Sequence, residues 1–294
     1  MLRNCFVITL VIFFINPFVL FAQNQLDPRS LDPEIDPDID MYIESCQNSP
    51  PIITHGGLVE RMILTRWNSN PLKPVRKGEV LTFINRFSFA ILEARKSTEP
   101  TTLKCEQEIL YIVSGRGVIK AGRETYELRE GIFFLVPAEL KFTIAATGDE
   151  PLMMYLVNEP IPENFRPNRK LLIKDENAIP LRRSGYLTMH WSHNGKNIFA
   201  VDDGLGTIES INLLIADPMT IGHPHSHGEG TEEIWHVTER KNLAFLGREI
   251  RWQPAGTAYM VPPTGFTAHS NINAANEPVK YLYFARYRDH EVRK

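Results

Sequence analysis

Only three cysteines occur in 294 residues, and Cys5 lies in an apolar N-terminal run. A scaffold stapled by several disulfides is therefore excluded. Cys46 and Cys105 remain, either as one bridge or as two free thiols. An excess of positive charge is also missing: 32 Lys and Arg face 35 Asp and Glu, for a formal net charge of -3, and no basic run is interleaved with aromatics. That balance argues against a nucleic-acid partner. No tract is dominated by one or two residue types, and a content of 43% hydrophobic and 23% charged residues is that of a folded chain. Helical periodicity is scarce, so a bundle is disfavoured. The length suits two domains of ordinary size, each with a sizeable core.

The N-terminus, MLRNCFVITLVIFFINPFVLFAQNQ, places Arg3 before an almost unbroken apolar run to Phe21, followed by Ala22 and polar residues. This is the pattern of a cleavable secretory signal, with Pro17 and the small residue at its end disfavouring a membrane anchor. Cleavage is expected near Ala22/Gln23, giving a periplasmic or secreted protein that no longer touches the membrane. Residues 23–57 contain three Asp-Pro steps within QNQLDPRSLDPEIDPDID and read as an extended leader. From Leu58 onward, LVERMILTRW and VLTFINRFSFAILEA have the apolar, β-branched and aromatic content of strands.

An internal repeat organises the rest. GRETYELREGIFFLVP, residues 122–137, aligns with GREIRWQPAGTAYMVP, residues 247–262, at an offset of 125, and the same offset sets Glu108 over Glu233. Each copy alternates short strands with Gly and Pro turns. The expected domains are an N-terminal barrel over 58–165 and a C-terminal barrel over 166–294.

Two segments of the second copy carry a family resemblance. HSHGEGTEE has His-X-His followed shortly by Glu, and GTAYMVPPTGFTAHSNIN offers Gly256, Pro262, Gly265, His269 and Asn273, with 35 residues from His227 to Pro262. The chain thereby resembles the two-domain cupins, which implies an all-β protein of two tandem double-stranded β-helix, or jelly-roll, barrels. Two departures are visible: no Gly stands before His225 or after the Glu at the usual places, and Gly265 comes one residue late. The resemblance implies a ligand set of three histidines and one glutamate. The residues support that set: alternation along a strand projects His225 and His227 together, and His269 can add a third nitrogen. Three imidazoles and one carboxylate leave open positions on one divalent first-row transition metal such as Zn, Mn, Fe or Ni, as in catalytic sites.

Glu232 and Glu233 compete for the carboxylate role, and only one can point inward. Glu233 is favoured because Glu108 occupies its place in the first copy, and because Trp235 and Val237 make a more apolar inner face than Ile234 and His236. In the first copy the same offset puts Pro100, Thr102 and Ile144 where His225, His227 and His269 stand, so Glu108 is expected to be a hydrogen-bonded polar residue in a structural or dimerising barrel. Beyond the ligands, Tyr259 and His236 are the candidate acid/base groups. Asn271, Arg248, Arg251 and Arg286 are further candidates for the pocket, and His223 reads as an exposed loop residue.

These features lead to an expected metal-dependent enzyme of the lyase, dehydratase or isomerase type, acting on a small carbohydrate-derived or other carboxylated substrate. The family resemblance implies such small polar substrates and pairing as a homodimer. An Fe- or Mn-dependent dioxygenase or decarboxylase is the alternative enzyme, and a non-catalytic ligand-binding barrel in the manner of the seed globulins is the alternative outside catalysis.

Overall fold

Short apolar runs broken by Gly, Pro and Asn turns become strands almost throughout, with 3-10 turns the only helical elements among the described residues. The computed structural model describes residues 37–67, 70, 72–183 and 193–287; the proposed signal and its cleavage point lie outside them. Four sheets result. In the first barrel the large sheet runs, in spatial order, Leu172–Asp175, Ile132–Val136, Glu106–Ser114, Leu152–Pro160, Arg86–Leu92, Leu58–Arg66 and Ile52–Thr54, with Glu79–Leu81 beside Leu58–Arg66. It faces a smaller sheet of Thr101–Thr102, Lys141–Ala146, Arg116–Ala121 and Glu124–Arg129. The second barrel repeats the plan. Its large sheet is Ile43–Ser45, Thr257–Met260, Glu232–Glu239, Val279–Arg286, Ser210–Ala216, His193–Ala200 and Arg182–Arg183, and its small one Thr220–Ile221, His269–Asn273, Lys241–Leu246 and Glu249–Pro254. The expected all-β, two-barrel architecture is the one observed.

Alternation decides what each strand buries. Leu110, Ile112, Phe134 and Val136 fill the first barrel, while Ile109, Tyr111, Phe133 and Leu135 on the same strands point the other way into a second apolar layer. That layer also receives Ile198, Ile211, Ile234, Leu282 and Phe284 from the other large sheet. The two large sheets thus pack back to back, and both faces of each are buried, which is why their strands read as continuous apolar runs.

Two reciprocal exchanges tie the halves together. Ile43–Ser45, expected in an extended leader, pairs with Thr257–Met260 of the second barrel. Leu172–Asp175, expected in the C-terminal domain, pairs with Ile132–Val136 of the first. The leader differs from expectation because its last Asp-Pro step is Asp36-Pro37, after which Ile39 and Ile43 bury themselves in the core of the second barrel and Tyr42 in the shared layer. Carboxylates repeat the exchange: Glu159 accepts the backbone N–H groups of Gly206, Thr207 and Ile208 at 3.0, 2.7 and 2.6 Å. Glu232 accepts those of Thr82, Phe83 and Ile84 at 2.5, 2.9 and 2.9 Å. Cys46 and Cys105 are both free thiols.

Candidate metal centre

The segment HPHSHGEG is too rich in Gly and Pro to form a regular strand, and it is pinned instead by a single bridge. His225 N–H donates to the His269 carbonyl at 3.2 Å and His269 N–H returns the bond at 2.9 Å. His269 opens the strand His269–Asn273, and Glu233 is the second residue of Glu232–Glu239. On that strand Glu233, Trp235 and Val237 face the interior of the second barrel, while Glu232, Ile234 and His236 face away from it. One imidazole nitrogen from each of His225, His227 and His269 lies within 4.8 Å of the others. Glu233 completes the group, with Oε1 3.0 Å from His269 Nε2 and Oε2 against His227 Nε2. Two further donors hold this carboxylate: the Trp235 indole N–H on Oε1 and the Tyr287 hydroxyl 3.4 Å from Oε2.

His225 Nδ1 donates to the His223 carbonyl at 2.9 Å, which leaves Nε2 with its lone pair. Burial, reinforced by the neighbouring His269, lowers the pKa of His225 and favours the neutral, metal-binding form. Burial also works against a charged His227, but the hydrogen bond and charge of Glu233 outweigh it and raise that pKa. Glu233 is held well below the ordinary carboxylate value, since His269 and His227 outweigh the desolvation that would raise it. Three imidazole nitrogens and one ionised carboxylate converging on one point fit a divalent first-row metal in the donor types and number it requires.

Residues 91–158 match the family model described as the Cupin domain. Solved structures resemble the whole two-barrel plan. A putative glyoxylate induced protein from Pseudomonas aeruginosa matches with a TM-score of 0.66 at 10% identity, over 82% of this chain and 86% of that one. Oxalate decarboxylase from Lactobacillus farciminis, in its formate complex, gives 0.62 at 13% identity, over 84% and 86%. Momordica charantia 7S globulin gives 0.60 at 13% identity, over 84% of each chain. The fold of this chain is that of the cupins. No curated protein matches it, and the likenesses to solved structures establish the fold alone.

The first barrel serves as an internal comparison. Its ladders pair Phe142 with Thr101 and Ala121, where the second barrel pairs His269 with His225 and Leu246. The offset at this strand is therefore two residues larger than the constant 125 expected, because the loop before His269 is longer, and Phe142 rather than Ile144 stands where His269 does. Glu108 is buried, as expected for a hydrogen-bonded residue, but a cation takes the place of the imidazole set: Arg86 Nη2 lies 2.7 Å from its Oε1 and His55 Nε2 3.1 Å from its Oε2. Arg86 Nε also reaches Glu60 Oε2 at 3.2 Å. The turn carrying His55 folds over the mouth, where the His55 carbonyl accepts from Glu99 N–H at 2.7 Å.

The remaining candidates fall on both sides of the sheet. Glu232, the alternative carboxylate, is excluded from the centre because alternation turns it toward residues 82–84. His236 shares that parity and faces away from the cluster; it packs against Phe87 and Tyr155 in the layer between the sheets, where burial lowers its pKa to about 3. Arg286 also lies on that face, over the Phe83 ring at 3.5 Å. Arg251 pairs with Asp40 at the surface, and Arg248 and His223 are exposed. Tyr259 and Asn271 do sit inside the second barrel, joined by a 3.2 Å hydrogen bond, with Asn271 also accepting from Asn242. The reading of the residues missed Trp235 as a partner of Glu233, and Tyr283 and Tyr287, whose hydroxyls bond one another beside it. The signal was present in YLYFARY, where Tyr281, Tyr283 and Tyr287 share one parity on the last strand.

Proposed function

We propose that this protein is a cupin and a metal-dependent enzyme whose single catalytic centre lies in the second barrel, and that it performs lyase, dehydratase or isomerase chemistry on a small carbohydrate-derived or other carboxylated molecule. The observation that carries the reading is the asymmetry between the barrels: at the matching position one holds three imidazoles and a carboxylate at a mouth, and the other holds a cluster in which Arg86 and His55 pair with Glu108 and Glu60 beneath a folded turn. A divalent ion at the first of these would supply Lewis acidity toward a substrate oxygen. His225, His227, His269 and Glu233 would hold it. Trp235 fixes the carboxylate, and the Tyr259 hydroxyl, kept protonated by burial and by the charge of Glu233, remains a donor inside the barrel. Export is part of the same proposal, resting on the apolar segment from Cys5 to Phe21 and Ala22 after it.

A decarboxylase or oxygenase using Fe or Mn is the second reading, favoured by the likeness to oxalate decarboxylases over most of the chain. Elemental analysis of the purified protein beside a His225→Ala/His227→Ala double variant tests both. Near one equivalent of a first-row metal in the parent and almost none in the variant supports the centre; Zn or Ni favours the first reading, and Fe or Mn together with oxygen consumption or carbon dioxide release favours the second. Equal and negligible metal in both proteins after reconstitution would leave a ligand-binding barrel and refute an enzyme of either kind.

A further inference from the structure

The last strand of the second barrel ends in two phenols that the ligand set does not need. Tyr283, buried, and Tyr287, half-buried at the mouth, share a hydrogen bond between their hydroxyls. Tyr287 then reaches Glu233 Oε2 at 3.4 Å, and its ring stands 5.5 Å from that of His227. A bond of 3.4 Å is long for a hydroxyl donor, so its proton is only loosely committed to the carboxylate. The ladders set Leu156 where Tyr283 stands and Pro160 where Tyr287 follows the last strand, so the phenols, like the three histidines, occur in one barrel only. Charged donors are spent elsewhere, with Arg286 over Phe83 and Arg251 on Asp40.

We propose that Tyr287, oriented by Tyr283, is the positioning residue that donates a hydrogen bond to the oxygen of an anionic ligand sharing the metal with Glu233, so that the centre selects small oxygen chelates such as 2-hydroxycarboxylates. The inference rests on the metal centre proposed above. Tyr283 accepts no part of the ligand; by occupying the lone pair of the Tyr287 oxygen it turns the Tyr287 proton toward the open side of the cluster. An oxygen anion gains from that donor, whereas a ligand bound through nitrogen with little accepting power at that point does not.

The full chain loaded with Co(II), whose visible absorption bands report coordination, is titrated with glycolate and separately with thiocyanate. Tyr287→Phe is expected to bind one equivalent of cobalt, to lose about tenfold in glycolate affinity, the size of one hydrogen bond to a charged group, and to keep its thiocyanate affinity. Tyr283→Phe, which leaves the Tyr287 hydroxyl in place, is expected to show a smaller loss of the same selectivity. Equal weakening of both anions would indicate a merely structural role and overturn the proposal, as would unchanged glycolate binding in both variants. If the parent itself binds no cobalt, the metal centre fails and this inference with it; if the parent binds cobalt and glycolate but the variants match it, only the role of Tyr287 fails.

Discussion

Acid should weaken this protein through a histidine on the opposite face of the sheet from the candidate metal centre. His236 is fully enclosed, with ring centroids of Tyr155 and Phe87 4.3 and 5.0 Å away, and burial takes its pKa from an ordinary 6.5 to about 3, with only a backbone hydrogen bond to Thr257 opposing the shift. The folded state therefore keeps the imidazole neutral, while the unfolded chain protonates it below 6.5. Its contribution is complete above pH 6.5 and is lost as pH falls from there toward 3. Each pH unit in that window costs about 1.4 kcal/mol, so the loss is about 3 kcal/mol at pH 4.5 and about 5 kcal/mol at the bottom of the window. His236→Leu removes the titrating group and keeps an apolar side chain in an apolar layer. Urea unfolding followed at pH 7.5, 6.0 and 4.5 isolates the effect, because the other titrating groups are common to both proteins. The parent should lose about 3 kcal/mol more than the variant between the extremes. Parallel loss in the two proteins would refute the assignment of acid sensitivity to this side chain.

The adjacent glutamates should separate cleanly. Glu233→Gln is expected to lower metal affinity at least tenfold, measured by competition with a chromophoric chelator, since an ionised ligand becomes a neutral amide. Glu232→Gln should leave metal content unchanged and lower stability by about 2 kcal/mol, because an amide NH2 would face the N–H groups of residues 82–84, as thermal or urea unfolding would show. Removing the ion with a chelator should lower the Tm of the parent but not of the His225→Ala/His227→Ala variant; metal at 100 times its Kd contributes about 2.7 kcal/mol by mass action. In the first barrel, Arg86→Met leaves Glu60 and Glu108 as buried carboxylates without their guanidinium, and a loss of about 3–5 kcal/mol in unfolding free energy is expected with metal content unaffected.

The cluster was legible because metal chemistry needs particular residue types at spacings that strand alternation makes visible: His225, His227, His269 and Glu233, the candidate ligands, stand together in the fold. The same alternation, followed one residue either way, also excludes His236 and Glu232, and the apolar neighbours Trp235 and Val237 already pointed there. Register was less legible. A constant offset cannot register a longer loop, so the counterpart of His269 was misplaced onto Ile144 when the ladder selects Phe142. Partners distant in sequence were not legible at all. Nothing local in IDMYIES says that it will pair with Thr257–Met260, and nothing around Glu159 says that its acceptors will meet residues 206–208. Those choices are made by packing between the sheets, which a reading of one segment at a time does not contain.

The exchanged edge strands also order events during biosynthesis. Ile43 leaves the ribosome long before Tyr259, its partner, has been made, so this strand must wait unpaired while the first barrel takes shape around it. The second barrel cannot seal its own edge from its own residues, and a fragment beginning near Arg166 would emerge with the ladder of Thr257–Met260 bare, an invitation to intermolecular pairing. The first barrel has the opposite dependence, since Leu172–Asp175 follows it directly and closes it at once. Folding should therefore proceed from the half without the histidine cluster to the half that carries it, so that His225, His227 and His269 assemble last, on a frame whose first strand was kept in reserve from the start of translation.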